Sequence, residues 1–307
     1  MFYKNLFIFA FTKPFQSTEE EVREALNEHL FAPCGAAELS RTGWTSALGK
    51  GSEATLHIAN NCMFLSSRKE EKILPSSVVK ERLDLKILEL EKEHSRKATK
   101  KEREQLKEDI ILLELLPQAF TKTSFTEGYI CPDKNIIVIN SSSRGKAEDF
   151  LALLRKCLGT LPVITPSPDR APDEIMTEWL TDKTLAPSFT MGEEGEFRAL
   201  GDDGAIIRCK NQNLFSDEIK THLDSEKYLV KVALEWDETL SCIVSEELEI
   251  KRLKFFDVIH EQNDDIDSDD VLARIDADLT LMSGEINRFV DDFLGLFNLT
   301  CDGFIEK

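Results

Sequence analysis

Hydrophobic and polar residues alternate with different periods along the chain, and each period predicts a kind of element. The N-terminal stretch FYKNLFIFAFT, residues 2–12, is dense in apolar side chains and predicts a buried strand. Ser17 or Thr18 can then cap a helix whose first turn is acidic, where the helix dipole favours negative charge. Two strand-like stretches follow, ATLHIA and CMFLSSR, and the Asn60-Asn61 pair between them favours a tight turn. The order of this part is therefore strand, helix, strand, strand.

The period changes to about 3.6 residues after Pro75, which predicts helix. Two apolar stripes result, one of Val79, Leu83, Ile87 and Leu90 and one of Leu106, Ile110, Leu113 and Leu116. Between the stripes, no apolar side chain is larger than that of Ala98. Two interpretations fit this pattern: a projecting hairpin of two helices joined near Ala98 and Thr99, or one long continuous helix.

Strand patterns return at TSFTEGYIC and NIIVINS, and RGKAEDFLALLRKCLG then predicts an amphipathic helix that ends at Gly159. Four prolines between residues 162 and 172 indicate a linker. Beyond it, GAIIRCKN, KYLVKVALEW and LSCIVSEELEIKRLKFFDV predict strands, and SDEIKTHLDS predicts a helix capped by Ser216. A final helix is expected over residues 268–297.

These elements predict an α+β protein of two mixed strand-helix units with a long helical-hairpin insertion. In this division, residues 1–74 and 119–165 form the N-terminal α+β unit, and residues 75–118 form the inserted hairpin. Residues 166–307 form a C-terminal α+β unit with an acidic terminal helix. The two units follow a similar element order, but their sequences are too different to establish a repeat.

Composition places the chain among globular proteins. Its 307 residues are 41% hydrophobic, and no stretch approaches the roughly 20 apolar residues of a membrane helix. The seven cysteines are widely spaced and form no C-x-x-C pair, which favours reduced, mostly buried thiols over a zinc site. The N-terminal stretch does not have the pattern of a signal peptide, so a cytoplasmic location without membrane contact is expected.

Charge is distributed unevenly along the chain. Lys plus Arg number 38 against 57 Asp plus Glu, a net charge of −19. Residues 66–122 nevertheless carry 14 basic and 12 acidic residues, whereas residues 246–292 carry 5 and 15. Affinity for nucleic acid comes mainly from cations that replace condensed counterions, so this separation matters more than the total.

The stretch RKATKKER, residues 96–103, has five basic residues in eight. On a continuous helix, four cations would share one face, with Lys97 and Lys101 beside it: Arg96, Lys100, Arg103 and Lys107. The stretch is either a solvated helix with internal ion pairs or a ridge that follows a phosphate backbone. Because it contains no aromatic residue, duplex binding is favoured over stacking on single-stranded bases. Smaller basic groups are Arg208 and Lys210 with Gln212, Lys227 and Lys231, and Lys251, Arg252 and Lys254.

The acidic stretch DIDSDDVLARID matches a calcium-binding loop only in part, because Asp270 stands at the position of the turn glycine. Capping of the final helix is the simpler interpretation, and a metal-dependent nuclease centre within Asp264–Asp276 is the alternative. GWTSALGKGS lacks two residues of the phosphate-loop motif, and the five histidines are scattered. No catalytic residue, cofactor or metal is therefore predicted.

Several long blocks carry a resemblance to a known family. They are FAPCG (31–35), RKEEKILPSSVVK (68–80), LLPQAF (115–120), KAEDFLALLRKCLGTLPV (146–163) and IDADLTLMSGEI (275–286). Together with GW, TEWL and KRLKF, these blocks resemble the bacterial recombination-associated RdgC family nearly from end to end. They are long and idiosyncratic rather than recurrent chemical motifs, so the resemblance is specific.

The resemblance implies a homodimer whose two curved subunits close into a ring, with basic side chains around a central hole that encircles duplex DNA. It also implies binding without sequence preference, association with the nucleoid, and restraint of the recombinase RecA during recombination and replication-fork repair. The expected protein is therefore non-enzymatic, with double-stranded DNA as the main ligand and single-stranded DNA as a further one. The resemblance leaves open whether RecA is contacted directly. The alternatives are the nuclease and a helical scaffold that binds another protein.

The predicted DNA-binding residues are Arg96, Lys97, Lys100, Lys101, Lys122, Lys210, Gln212 and Lys227. Lys97 and Gln212 match family positions directly, and the others rest on proximity and charge. Phe120 matches an apolar residue that packs across the subunit contact in the family, with a core position as the alternative. Gln118 and Asn211 stand where basic residues are expected in relatives, so either these two contacts are weaker in this protein or neighbouring Lys122 and Lys210 supply them.

Overall fold

The computed structural model describes residues 2–201, 204–263 and 270–300. Its strands are β1 Leu6–Phe11, β2 Ser40–Thr45, β3 Leu56–Ala59, β4 Cys62–Lys72, β5 Thr121–Cys131, β6 Ile136–Asn140, β7 Val163–Ile164, β8 Ser167–Pro168, β9 Phe189–Ala199, β10 Ile206–Lys210, β11 Lys227–Trp236, β12 Leu240–Ser245, β13 Ile250–Phe255 and β14 Leu299–Thr300. Its α-helices are α1 Glu19–Asn27, α2 Ser76–His94, α3 Lys100–Asp109, α4 Arg144–Leu158, α5 Pro172–Thr181, α6 Asp217–Asp224, α7 Asp257–His260 and α8 Val271–Leu296.

Twelve strands form one sheet in the order β10-β9-β11-β12-β13-β1-β6-β5-β4-β2, with β3 beside β4 and β7 beside β1. Strand β1 joins the two halves, because Leu6 lies opposite Asn140 of β6 and also opposite Ile250 of β13, both antiparallel. The sheet is therefore continuous through both predicted units. The mixed α+β class is confirmed, whereas the division into units and the closure of two subunits into a ring stay predictions.

The two faces of the sheet are covered differently. On one face, which we name the α8 face, residues from both halves such as Phe64 and Val244 pack with Phe289 of α8. Helices α5 and α6 join the same core through residues such as Trp179 and Ile219. On the other face, α1 and α4 cover the N-terminal half in a second core of apolar residues. The C-terminal half of that other face is where charged side chains reach solvent, as described below.

Local chemistry explains several element boundaries. Thr18 rather than Ser17 caps α1, with its hydroxyl accepting from the amide of Glu21 while the Glu21 carboxylate accepts from the amide of Thr18. The Asn60-Asn61 turn is confirmed, with φ angles of 49° and 54° at the two residues. Asparagine tolerates these left-handed angles, which match the twist of the β3–β4 hairpin.

The inserted segment is the helical hairpin and not one long helix. Ser95 ends α2 with a left-handed φ of 48°, and Thr99 begins α3 with a capping box to Glu102. After α3, residues Ile110–Leu115 form a π-helical segment. Because a π-turn inserts an extra residue, the predicted second stripe is wrong at Leu113, which is 74% exposed while Ile110 and Leu116 are buried.

The sequence patterns missed β2, β9 and α5, and assigned the segment of β7, β8 and the start of α5 to a linker. The proline at position 172 takes the first turn of α5, where its missing amide hydrogen costs nothing. The final helix is confirmed as α8, with the predicted start at residue 268 outside the described residues.

Candidate nucleic-acid interface

The predicted DNA-binding residues lie in three places in the fold. Arg96, Lys97, Lys100 and Lys101 are at the end of the helical hairpin, Lys122 is in β5, and Lys210, Gln212 and Lys227 are at the ends of β10 and β11. Helices α2 and α3 pack mainly on each other and on the π-helical segment. The hairpin therefore projects its basic end away from the sheet.

At the hairpin end, three lysines are exposed, and Lys100 has 93% of its side chain in solvent. Arg96 is different, because its guanidinium donates to both carboxylate oxygens of Glu102 at 2.9 and 2.6 Å. This pairing raises the pKa of Arg96 and, with hydrogen bonds from Thr99, lowers the pKa of Glu102 far below its usual range. Among the described residues, no carboxylate lies within hydrogen-bond distance of Lys97, Lys100 or Lys101, which we name the tip lysines, and Lys100 lies 4.0 Å from Glu104.

The predicted single face of Arg96, Lys100, Arg103 and Lys107 is wrong. Arg96 lies in the loop between the helices and follows no helical spacing. Arg103 on α3 lies 3.7 Å from Glu91 of α2, so it helps to hold the two helices together. The basic stretch therefore combines structural arginines with free lysines.

Lys122 is exposed near the start of β5, in register with Glu71 of β4. Within the described part of the chain, no carboxylate oxygen lies within 4 Å of its ammonium group. Gln118 is also exposed, in a short 3-10 turn just before β5. Lys122 is thus an exposed cation close in sequence to Gln118, as the predicted replacement of a basic side chain at Gln118 would require.

Six cations gather on the C-terminal half of the sheet, on the face opposite α8. They are 36% to 68% exposed and we name them the basic face: Arg198, Arg208, Lys210, Lys231, Lys251 and Arg252. They alternate along the strands with core residues such as Phe197 and Val232, as side chains of period two must. Arg252 adopts a φ of 52° in β13, whose pairing with β12 is irregular, and its side chain reaches the same face.

Four glutamates contact these cations. Glu246 accepts from Arg198 at 2.7 Å, and Glu249 accepts from Lys251 at 2.5 Å. The other two, Glu194 and Glu196, both belong to β9.

Glu196 of β9 accepts a hydrogen bond from Arg208 Nε at 2.8 Å and from Lys231 Nζ at 3.3 Å, and lies 3.6 Å from Arg198. Burial raises the pKa of Glu196, but the bonds from Arg208 and Lys231 outweigh burial, so the pKa lies below its usual value. Glu196 is therefore ionised at neutral pH.

Glu194, two residues earlier in β9, binds the cations on the other side. Its carboxylate accepts two hydrogen bonds from the guanidinium of Arg252, at 3.1 and 2.6 Å, and lies 3.8 Å from Lys210 Nζ. Every cation of the basic face except Lys251 thus contacts Glu194 or Glu196, while Lys251 is bonded to Glu249.

Gln212 lies beside the basic face, at a cleft of about 540 Å³ whose lining includes Arg208, Lys210 and His222. Its amide nitrogen donates to Ser216 Oγ at 3.2 Å and to Glu218 at 3.3 Å, which fixes its position. Asn211 has a φ of 52°, a conformation that asparagine adopts more readily than lysine or arginine. The unexpected asparagine therefore suits the turn after β10.

The structure brings Arg208, Lys210 and Gln212 together as predicted, and adds Arg198, Glu194 and Glu196, which sequence reasoning missed. Lys227 is half-buried at the start of β11, opposite Ala199. The missed residues all belong to β9, the strand that was not predicted. The alternation in EEGEFR, residues 193–198, was the available signal for that strand.

Phe120 is 85% exposed, so the alternative of a core position is wrong. Its carbonyl accepts from the amide of Ile73 at 2.8 Å, which places it at the base of the hairpin. Other exposed apolar side chains occur in the same part of the chain, and with Phe120 we name them the apolar edge: Leu39, Ile73, Val78, Leu85, Leu88, Leu112, Leu113 and Phe125. Where such side chains form one contiguous patch, they mark an interaction surface in soluble proteins.

The structure describes only part of the acidic stretch Asp264–Asp276, the alternative metal-dependent nuclease centre. Asp264, Asp265, Asp267 and Asp269 lie outside the described residues. Of the remainder, Asp270 caps α8 by accepting from the amide of Ala273 at 3.1 Å, and Asp276 lies 2.6 Å from His57 Nε2 of β3. Among residues 2–201, 204–263 and 270–300, no three His, Cys, Asp or Glu side chains are arranged to hold a metal ion. The helices described in these ranges include none long and apolar enough to span a membrane.

Comparison with known proteins gives matches over nearly the whole chain. The family model described as "Putative exonuclease, RdgC" matches residues 1–300. A protein of Colwellia psychrerythraea named Recombination-associated protein RdgC is 58% identical over 307 residues, which is 100% of both chains. Proteins of the same name from Pseudoalteromonas atlantica and Aeromonas hydrophila are 45% and 47% identical, and the matches cover 98% and 94% of this chain and 99% and 95% of theirs.

Proposed function

The chain belongs to the RdgC family, and from this premise we propose that it is a non-enzymatic protein that binds duplex DNA without sequence preference as a homodimeric ring. The observation that carries the proposal is the basic face. Six cations lie on β9, β10, β11 and β13 of one exposed sheet surface, each with a glutamate beside it, in a chain whose net charge is −19. Such a concentration of cations against the overall charge is what binding to an anionic backbone requires.

The chemistry of the surface favours contacts with phosphate over readout of bases. Arginine and lysine side chains on strands about 4.8 Å apart offer charge at regular steps. Reading bases in the major groove needs a helix or a two-stranded ribbon that fits the groove, and the basic face is a broad sheet. Binding would then be equally strong for unrelated sequences.

The homodimer is supported by the apolar edge. Phe120 and its neighbours expose apolar area at the base and along the sides of the hairpin, where a second copy of the chain could cover it. Two copies would place two basic faces and two sets of tip lysines around one duplex. Facing charges of this kind reinforce one another while the acidic residues stay outside.

The names of the relatives connect the family with recombination. We propose that the ring occupies duplex DNA in the nucleoid and thereby limits RecA during recombination and replication-fork repair. This role requires only that the duplex be covered, so it needs neither a cofactor nor a metal. Single-stranded DNA would bind more weakly, since the tip and the basic face offer charge but few aromatic side chains for stacking.

The test is to measure DNA affinity at several salt concentrations. The logarithm of the association constant should fall linearly with the logarithm of salt, by about 0.9 for each phosphate contact. A ring should also stay on relaxed circular DNA through a high-salt wash and leave the same DNA after it is cut once. Affinity that does not change with salt would contradict binding through the phosphate backbone, and equal loss from circles and linear DNA would contradict the ring.

An exonuclease is the second candidate, because the matching family model carries that word in its description. End-labelled linear duplex incubated with the protein and Mg²⁺ or Mn²⁺ separates the two. Shortening of the labelled strand that tracks with the protein through purification would establish the exonuclease and overturn the non-enzymatic proposal.

A further inference from the structure

We propose that Glu194 and Glu196 are built-in competitors of DNA phosphate, which hold the affinity of the basic face far below what its six cations alone would give. The inference rests on the proposed function and concerns how strongly the same surface binds. It follows from one geometric fact: two carboxylates on a single strand contact five of the six cations of the basic face.

Glu196 occupies the centre of the network. Only 9% of its side chain is exposed, whereas Arg208 and Lys231 beside it are 68% and 44% exposed. The carboxylate is therefore fixed beneath cations that themselves reach solvent. A phosphate approaching from solvent meets cations whose charge is already partly neutralised from below, and whose donors are engaged at hydrogen-bond distance.

Glu194 contacts Arg252 and Lys210, and its contact with Arg252 is bidentate. Its two carboxylate oxygens bind the guanidinium of Arg252 in the bidentate manner that a phosphate would use. Phosphate must displace this carboxylate to bind Arg252 in the same way. Lys210, 3.8 Å from the same carboxylate, keeps most of its side chain in solvent and can turn toward DNA more readily.

The tip lysines provide the contrast. Lys100 is 93% exposed and its nearest carboxylate, on Glu104, lies 4.0 Å away in solvent, where such a pair has little energy. The protein therefore carries free cations at the tip and pre-neutralised cations on the sheet. Each full phosphate contact slows dissociation from DNA. A protein that surrounds duplex DNA and must still slide or dissociate therefore benefits when carboxylates partly neutralise the cations that face the DNA.

The test is to neutralise the glutamates without changing their shape. Glu196→Gln and Glu194→Gln keep hydrogen-bonding side chains of the same size and release positive charge toward DNA. If each variant gains about one phosphate contact per subunit, the dimer gains about two, so the salt slope becomes steeper by about 1.8 and affinity at about 0.1 M salt rises about sixtyfold. Affinity is measured by fluorescence anisotropy with two duplexes of unrelated sequence at four salt concentrations.

Glu178→Gln is the matched control. Glu178 of α5 forms a bidentate pair with Arg170, which lies just before that helix. Helix α5 packs on the α8 face, so the variant makes the same charge change on the other side of the sheet. It should change affinity less than about twofold. A second control places Glu196→Gln in an Arg208→Gln background, where the gain should shrink, since the two residues act through one contact.

The outcomes separate the two proposals. Wild-type protein that shows no salt-dependent DNA binding would overturn the proposed function itself. Wild-type protein that binds, with glutamine variants no tighter than Glu178→Gln, would overturn the role of the glutamates and leave the function standing. Glu194 has 29% of its side chain exposed, so Glu194→Gln decides the matter if thermal unfolding shows that Glu196→Gln no longer folds.

Discussion

Arg96 donates hydrogen bonds to both carboxylate oxygens of Glu102, and this pair stabilises the loop between α2 and α3. Glu102 also accepts hydrogen bonds of 2.8 Å from the amide and from the hydroxyl of Thr99, the residue that caps α3. One carboxylate thereby joins an arginine, a cap and a helix start. The first arginine of the basic stretch is thus part of the hairpin's structure, and we expect the lysines around it to make the DNA contacts.

Charge reversal of the tip lysines together, Lys97→Glu, Lys100→Glu and Lys101→Glu, should weaken DNA binding about tenfold or more at about 0.1 M salt, because up to three phosphate contacts are lost. Arg96→Gln should weaken binding much less. Anisotropy titrations with two unrelated duplexes measure both effects. Lys183→Glu, an exposed lysine after α5, serves as the control. A loss confined to one duplex sequence would indicate base readout instead.

The hairpin end should lose stability in acid. Arg96 and Thr99 hold the pKa of Glu102 well below its value in an unfolded chain, which is about 4.3. The stabilisation is therefore complete above that unfolded value and is lost as the pH falls toward the folded pKa. Amide hydrogen exchange of residues 96–103 between pH 6 and pH 3 measures it. Glu102→Gln should show lower protection at pH 6 and a smaller change with pH; an unchanged wild-type pH profile would contradict the assignment.

Phe120→Ser should weaken self-association. The side chain is 85% exposed in the single chain, so the substitution removes little intramolecular packing. Any fall in melting temperature should therefore come from loss of the dimer and disappear at dilutions where both proteins are monomers. Sedimentation equilibrium of both proteins measures the dimer constant, for which we expect a loss of about tenfold or more. Leu200→Ser, a 70% exposed leucine at the end of β9, is the matched control. Equal effects of the two variants would contradict a specific role for Phe120.

Much of the fold was predictable because its signals are local. The turn at Asn60-Asn61, the cap at Thr18 and the break near Thr99 each depend on residues adjacent in sequence. The turn was predicted, the cap was one of two candidate residues, and the break was one of two interpretations. Strand β9 was missed because its apolar side is interrupted by Gly192 and Gly195, which lie close to Ala233 and Leu214. The continuity of the sheet through β1 depends on the meeting of Leu6 and Ile250, 244 positions apart, and no local pattern encodes it.

The candidate site likewise has a part that the sequence could predict and a part that it could not. The charge clusters at residues 96–103 and 208–210 were visible in the sequence, but the partners of each cation were not. Arg96 and Arg208 look alike as basic residues, yet one closes a loop with Glu102 and the other sits above the buried Glu196. Pairing across strands decides which charge is free, and that pairing follows from the sheet register.

A buried polar contact between Tyr129 and Asn287 anchors α8 on the sheet. The Tyr129 hydroxyl donates to the side-chain oxygen of Asn287 at 2.9 Å, and the Asn287 amide nitrogen lies 3.5 Å from the sulfurs of Cys62 and Cys131. Burial raises the pKa of Tyr129 well above its usual value, so the hydroxyl stays protonated and remains a donor across the physiological range. The contact fixes which turn of α8 faces β4 and β5.

Asn287→Leu should therefore destabilise the protein by about 1–3 kcal/mol, because the buried Tyr129 hydroxyl loses its acceptor. Tyr129→Phe leaves the Asn287 oxygen without its donor and should cost a similar amount. The double variant should cost less than the sum of the two, since replacing both polar partners by apolar groups removes the unsatisfied atoms together. Urea unfolding of the four proteins measures this coupling. Strictly additive losses would show that the two side chains contribute independently, and that packing of α8 rather than this hydrogen bond sets its position on the sheet.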